Sequence, residues 1–311
     1  MTRVQTVILA GPTGSGKSQL SLAVAEALGG TIINADSMQI YRELLVLTAR
    51  PDADAEQRVP HRLFGVLGAH EPCTAARWRR MALTEIAVSH AAGRLPILVG
   101  GTGLYFKALI EGLAPVPPIP HEVRVRARDR RAAIGGEAFH AELAERDPVA
   151  AGRIAPGDTQ RVLRAWEVVE ATGRPLSDWQ RQGGEHSTLD VFKVLLAPPR
   201  AALHAACDER FRRMIAKGAL EEVRALKDLD LEPDVPIMKA LGVRELLAHL
   251  GGTAALEEAI IAAQTATRRY VKRQSTWFRH QMSFDLVLDR PDAGMMVNVF
   301  HGWRGRLTGH G

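Results

Sequence analysis

The segment Gly11-Pro12-Thr13-Gly14-Ser15-Gly16-Lys17-Ser18 fits the pattern G-x-x-x-x-G-K-[ST] at every fixed position. The apolar run Val4 to Ala10 precedes it and reads as a buried strand. Lys17 to Leu28 follows it, with Leu20, Ala23, Val24, Ala27 and Leu28 recurring at helical spacing. Strand, glycine turn and helix in that order commit the chain to an α/β fold with a ligand at the strand's carboxyl end. The glycines let successive N–H groups point at one anion, and the helix N-terminus adds its partial positive charge. Lys17 supplies a movable full charge, and the Ser18 hydroxyl is a candidate ligand for Mg²⁺. Such a loop reports two or more linked phosphates without saying which molecule carries them.

Strand candidates are Val4–Ala10, Thr31–Ala35, Arg62–Val66, Pro96–Val99 and Val191–Ala197, with helical patterns between the first four. The pattern predicts a parallel sheet wound by right-handed crossovers. The proline run Pro115-Val-Pro-Pro-Ile-Pro120 breaks it and reads as a stiff linker. The next seventy or so residues look helical, before Val191–Ala197 resumes the α/β style. The expected organisation is a core domain of residues 1–114 and 190–311, interrupted by a helical insertion domain over 115–189. The core ends in a long helical pattern from Leu256 to His280 and a short tail.

Cys73 and Cys207 are the only cysteines, far apart and with no CxxC spacing. That argues against a zinc site or a disulfide framework and fits a reducing, cytoplasmic setting. No apolar stretch is long enough to cross a bilayer, and the N-terminal run leads into the glycine loop rather than a cleavage site. No membrane partner is expected, and the expected state is a monomer. The net charge of +5 permits an anionic macromolecular partner without requiring one. Its distribution says more. Arg124, Arg126, Arg128, Arg130 and Arg131 crowd one insertion segment, and Arg161 and Arg164 sit one turn apart on another. Arg268, Arg269, Lys272, Arg273 and Arg279 recur on one side of the last long helix, beside Trp277 and Phe278. Each cluster alone reads as a solvated helix face; three together predict a basic groove for a nucleic acid backbone.

Nucleotide-hydrolysing proteins with this loop end a second core strand in an acid that helps hold Mg²⁺. Here Pro96–Val99 ends in Gly100-Gly101-Thr102-Gly103, and the acid, Asp36, follows a different strand. A phosphate loop, one facing carboxylate and a Gly-Gly-Thr turn suit a transferase from which a bound diphosphate leaves.

These residues together resemble the tRNA dimethylallyltransferase, or tRNA isopentenyltransferase, family. The resemblance rests on GPTGSGKS (11–18), NADSMQIY (34–41), PHRL (60–63), LVGGTGLYFKAL (98–109), TQRVLRAWEV (159–168) and TRRYVKRQSTWFR (267–279). Two segments depart from it: Leu47-Thr-Ala-Arg50-Pro51 replaces a Gly-Thr-Ala-Lys-Pro, and Val243 replaces a tyrosine in Gly-Tyr-Arg-Glu. The resemblance implies a P-loop NTPase-like parallel sheet core with a helical insertion domain. It implies transfer of a dimethylallyl group from its diphosphate to N6 of an adenosine beside the anticodon, position 37 of certain tRNAs. Dimethylallyl diphosphate and the tRNA anticodon stem-loop are the implied partners, and Mg²⁺ the implied cofactor.

By the same resemblance, Asp36 is the general base that takes the amine proton; a strand-end aspartate also reads as a helix cap or a metal ligand. Thr102 is set against the bridging oxygen, and Lys17 and the rest of Gly11–Ser18 hold the diphosphate. Arg210 reads either as a diphosphate-binding arginine or as a surface helix residue. Ser37, Met38 and Gln39 line the adenine pocket, Gln39 offering an amide to the base edge. Arg124 and Gln160, Arg161, Val162, Leu163 and Arg164 are the insertion's candidates for gripping tRNA while the base swings out. A kinase acting with ATP on a nucleoside or small metabolite explains the loop and Asp36 as well, though not the three basic clusters. A nucleic acid binder that merely senses nucleotide is the third reading.

Overall fold

Strand β1 (Val4–Ala10) lies at the heart of a six-stranded sheet of order β3-β2-β4-β1-β5-β6. The structure is a computed structural model that describes residues 3–185, 187–233 and 235–308. The other strands are β2 (Gly30–Asn34), β3 (His61–Arg62), β4 (Leu95–Gly100), β5 (Leu189–Leu196) and β6 (Leu286–Leu288), and every pairing is parallel. Val7, Ile8, Leu9 and Ala10 have no exposed surface. A central parallel strand is covered on both faces, which is why β1 reads as an unbroken apolar run. Because all strands point the same way, the turns after β1, β2 and β4 gather at one edge of the sheet. Helices α1 (Lys17–Leu28), α2 (Ala53–Arg58), α3 (Ala75–Ala91) and α4 (Gly103–Glu111) follow the first four strands.

By its internal contacts the chain divides into two compact units, Met1–Leu109 with Thr188–Gly311, and Ile110–Ser187. The second unit is helical: α5 (His121–Ile134), α6 (Gly136–Arg146), α7 (Pro148–Ala151), α8 (Thr159–Thr172) and α9 (Leu176–Gln182). Phe139, Leu143, Val162, Ala165 and Trp166 form its core. Buried Asp147 joins two helix starts, one oxygen accepting from the Ala150 N–H and the other from the Ser177 N–H, both at 3.0 Å. The proline run read as a stiff linker is packed rather than free-standing. Ile119 is buried with Val123 and Val168, and Val116 packs on them, so the segment belongs to this unit's packing.

The first unit continues from β5 through α10 (Arg200–Ala216), α11 (Ala219–Lys227), a short 3₁₀ turn (Pro236–Lys239), α12 (Val243–Leu250) and α13 (Leu256–Gln281). The chain departs from the expected pattern in two places. The strand expected over Arg62–Val66 stops at Arg62, because Leu63 and Gly65 take positive φ (64° and 60°) and turn the chain away. The expected tail is instead β6 and α14 (Ala293–Thr308). There β6 pairs with β5, and Met296 and Phe300 are buried in the core beside α1.

Candidate active site

Glycine geometry makes the phosphate loop. Gly14 and Gly16 have φ of 81° and 88°, a region that costs a side-chain-bearing residue strain. A Cβ on Gly11 would stand 2.7 Å from the Leu196 carbonyl oxygen, and one on Gly14 2.8 Å from Cys207 Sγ. The Ser15 N–H donates to the Pro12 carbonyl (3.2 Å) and closes the turn. Helix α1 then starts without a side-chain cap and with no acid in its first turn. Its positive end is left for an anion. Buried Ser15 Oγ has no hydrogen-bond partner. An unpaired buried hydroxyl costs about 1–3 kcal/mol, a cost that a phosphate oxygen at the loop would remove.

Lys17 donates to the Pro12 carbonyl oxygen at 3.2 Å. Burial pushes its pKa down to about 8, against the upward pull of Asp36; Arg210 lowers it further. The Arg210 guanidinium is also held below its usual range by burial, with Cys207 and Asp36 opposing. This half-buried arginine lines a cavity together with Asp36, which favours the diphosphate-binding reading over that of a surface helix residue. The Cys207 thiol, 3.4 Å from the Thr13 carbonyl oxygen, is raised by burial, so at neutral pH it is uncharged and adds no negative charge beside the phosphate loop.

Asp36 leaves the end of β2 in a turn built by Asn34. The buried Asn34 amide donates to the Asp36 and Leu63 carbonyls, both at 3.0 Å, and its Oδ1 accepts from the Asp36 N–H at 2.7 Å. Asp36 Oδ1 accepts from the Met38 N–H at 2.9 Å. This is a side-chain turn rather than a helix cap, since no helix begins here. Asp36 is the residue that two cavities share. One, of about 190 Å³, is lined by Thr13, Arg210, Tyr270 and Arg273 and walled by Met38, Leu47, Phe211 and Met214. The other, of about 320 Å³, is lined by Lys17, Ser18, Gln39, Arg50 and His61.

Thr102 follows β4. Gly100 is obligatory there, because a Cβ would lie 2.1 Å from the Ala35 carbonyl oxygen. The Thr102 hydroxyl accepts from the Ser37 N–H at 3.0 Å and lies 3.4 Å from Ser37 Oγ, so the turns after β2 and β4 are tied together. Gln39 lines a cavity with Asp36. Its amide nitrogen donates to the Thr48 and Ala49 carbonyls (2.9 and 3.1 Å), so both amide protons tie that loop and Oε1 is what the side chain has left for a base edge.

Two residues here escape sequence reasoning. Asn34 is one. Gln274 on α13 is the other: buried, it accepts from the Thr13 N–H and donates to the Gly101 carbonyl, both at 2.9 Å, and so joins the phosphate loop to the Gly-Gly-Thr turn. The signal that could find it is a polar residue on the buried stripe of Thr267, Val271 and Phe278, where an amide must find partners. Trp277, on the same helix, lies against Gly103, where a Cβ would meet its ring at 2.1 Å.

The basic clusters separate into engaged and outward residues. Arg268 Nη1 donates to both carboxylate oxygens of Asp208 at 2.7 Å and ties α13 to α10, while Arg269, Lys272, Arg273 and Arg279 are exposed. In the helical unit, Arg126 and Arg130 pair with Glu170 and Glu142, and Arg131 donates to Thr159 Oγ1. Arg124, Arg128 and Arg164 surround half-buried Glu167, and Gln160 and Arg161 are exposed, Arg161 near Asp158. Val162 is 1% exposed and Leu163 packs on the core, so these side chains hold the helix in place and offer RNA little or nothing. Val243 has no exposed surface either, and its side chain cannot replace a tyrosine contact. Leu47 is buried; among the described non-glycine residues only Ala49, Leu63 and Asp230 have positive φ, so the backbone does not need glycine at 47.

Residues 39–281 match the family model described as IPP transferase. The tRNA dimethylallyltransferase of Rhodospirillum centenum is 56% identical over 279 residues, 89% of each chain. That of Parvibaculum lavamentivorans is 54% identical over 279 residues, 89% of this chain and 88% of the relative. The full-length tRNA isopentenylpyrophosphate transferase of Bacillus halodurans superposes with a TM-score of 0.70 at 31% identity, covering 97% of this chain and 96% of that one. A eukaryotic dimethylallyltransferase that acts on tRNA shares the fold, with a TM-score of 0.84 at 23% identity over 97% of this chain and 80% of its own.

Proposed function

The chain belongs to the IPP transferase family, and on that premise we propose how its residues move a dimethylallyl group from its diphosphate to N6 of adenosine 37 of tRNA. The observation that carries the reading is the position of Asp36 on the wall common to both cavities, one lined by Arg210 and the other by Lys17, with its charge felt by both cations. The diphosphate lies against the loop amides, Ser15 Oγ, Lys17 and Arg210. As the allylic C–O bond breaks, negative charge grows on the leaving oxygens, and these donors stabilise it more then than in the ground state. The Thr102 hydroxyl donates toward the bridging oxygen. The five-carbon chain has the apolar wall of Met38, Leu47, Phe211 and Met214 to lie on. The adenine amine is a weak nucleophile, and Asp36 accepts its proton as the C–N bond forms.

Mg²⁺ fits the loop. Ser18 is exposed beside Lys17 and shares its cavity with Asp36, and such an ion needs few protein oxygens beyond those of a phosphate. No group of three or more His, Cys, Asp or Glu poised for a metal occurs among the described residues, so Ser18 and the donor would hold it. When bound, it would neutralise part of the diphosphate charge.

The outward arginines of α5 and α8, and separately those of α13, bind the RNA backbone. Replacing Arg161 and Arg164 by alanine is expected to weaken tRNA binding and to reduce the slope of log K against log salt by about one unit or more. An unchanged slope in a filter-binding titration would remove both residues from the interface. Among the described residues no helix is long and apolar enough to cross a membrane. We place the reaction in the cytoplasm, where tRNA is found, with one chain as the working unit.

The reading is tested by incubating the protein with Mg²⁺, dimethylallyl diphosphate and unmodified tRNA. The expected result is a tRNA mass gain of one five-carbon unit, mapped to the adenosine beside the anticodon. ATP consumption with a small acceptor and unaltered tRNA would instead establish a kinase.

A further inference from the structure

One carboxylate far along the chain receives three consecutive backbone donors beside the catalytic turn. The N–H groups of Leu45 and Val46 donate to Glu222 Oε1, the second at 2.9 Å, and that of Leu47 donates to Oε2 at 2.8 Å. Glu222 stands in the first turn of α11, where the helix end favours its charge. Three successive amides turned toward one point make an anion-binding concavity, here filled by a side chain of the same protein. The far end of this loop is held by the catalytic segment itself, through the Gln39 amide on the Thr48 and Ala49 carbonyls. The tied residues Leu47 and Thr48 line one cavity, and Ala49 with the following Arg50 lines the other.

We propose that Glu222 is a positioning residue for the transfer. Its carboxylate fixes Leu45–Leu47, the fixed loop holds Gln39 through Thr48 and Ala49, and Gln39 steadies the Asp36–Met38 turn that immediately precedes it. The proposal rests on Asp36 being the base. Charge-assisted bonds to backbone amides are about twice as strong as neutral ones, so the charge of Glu222 matters as well as its shape. Glutamine is the same shape, but it brings an NH₂ group against N–H donors and leaves at least one of them unpaired.

The test is a double-mutant cycle on kcat with E222Q, Q39A and the pair, with KM for both substrates and thermal melts measured alongside. The expected result is a kcat for E222Q about tenfold lower at saturation, with the donor KM within about twofold of wild type. The pair should be no slower than the worse single variant by more than about twofold, because both substitutions free one loop. Multiplying losses, or a kcat for E222Q within about twofold of wild type, would overturn the proposal. If E222Q does not fold, E222D, which withdraws the carboxylate by one methylene, takes its place in the cycle. A wild-type protein that transfers nothing would overturn the functional reading itself, an outcome distinct from active wild type and unaltered E222Q.

Discussion

Asp36→Asn is expected to lower kcat by about a thousandfold while the affinity for tRNA stays within about twofold, as single-turnover and binding measurements on the same preparation would show. The substitution is chosen because asparagine keeps an oxygen for the Met38 N–H, the bond that fixes the turn. The Asn34 cradle on the backbone of residue 36 is untouched as well. What is lost is an acceptor for the amine proton. General base catalysis contributes about a hundredfold to ten-thousandfold, and the expected loss sits inside that range. There is a second consequence. The negative charge of Asp36 holds the Lys17 pKa up against the effect of burial. Its removal moves the Lys17 pKa below about 8, so the alkaline limb of kcat/KM for the donor should shift to lower pH in Asp36→Asn. A variant with turnover within about tenfold of wild type would take the proton-accepting role away from Asp36.

How far the amino-acid sequence alone reveals this molecule depends on how local each constraint is. Strands β1, β2, β4 and β5 are legible because their apolar runs are bounded by glycine, proline or a polar turn. The phosphate loop is legible because its fixed glycines and lysine fall within eight consecutive residues. Asp36 stands out as an acid at the end of a buried strand. The ties that set the geometry are not legible. Gln274 reaches Thr13 across 261 positions, and Glu222 reaches Leu45 across 177. No local periodicity records such a pairing. Charge itself is visible but its partners are not, which is why Arg126, Arg130 and Arg268 read as free cations and are in fact paired with Glu170, Glu142 and Asp208. The sixth strand and α14 escape notice because Leu-Val-Leu is too short to show a period, and glycines interrupt the helix after it.

Lys17→Met is expected to lower kcat/KM for the donor by about a hundredfold to a thousandfold, an effect of the size seen when a charge-stabilising donor is removed from a leaving group. The wild-type pH profile gives the same group a signature. In the free protein Lys17 titrates near pH 8, because burial disfavours its charged form. A bound diphosphate restores the charge, so binding takes up a proton once the pH passes that value. The kcat/KM for the donor is therefore expected to fall about tenfold per unit above pH 8, while kcat stays flat, since each reports a different protonation state of the site. Methionine removes the limb along with the rate, and arginine in the same position, charged at every pH used, should show no limb at all. Stability carries the opposite sign. Between about pH 8 and 10.5 the unfolded chain holds the lysine proton and the folded one does not, so the folded state gains as pH rises through that window. Donor protection against thermal unfolding should accordingly be greatest at neutral pH and fade above pH 8. Protection that grows with pH would mean that the diphosphate does not sit on Lys17.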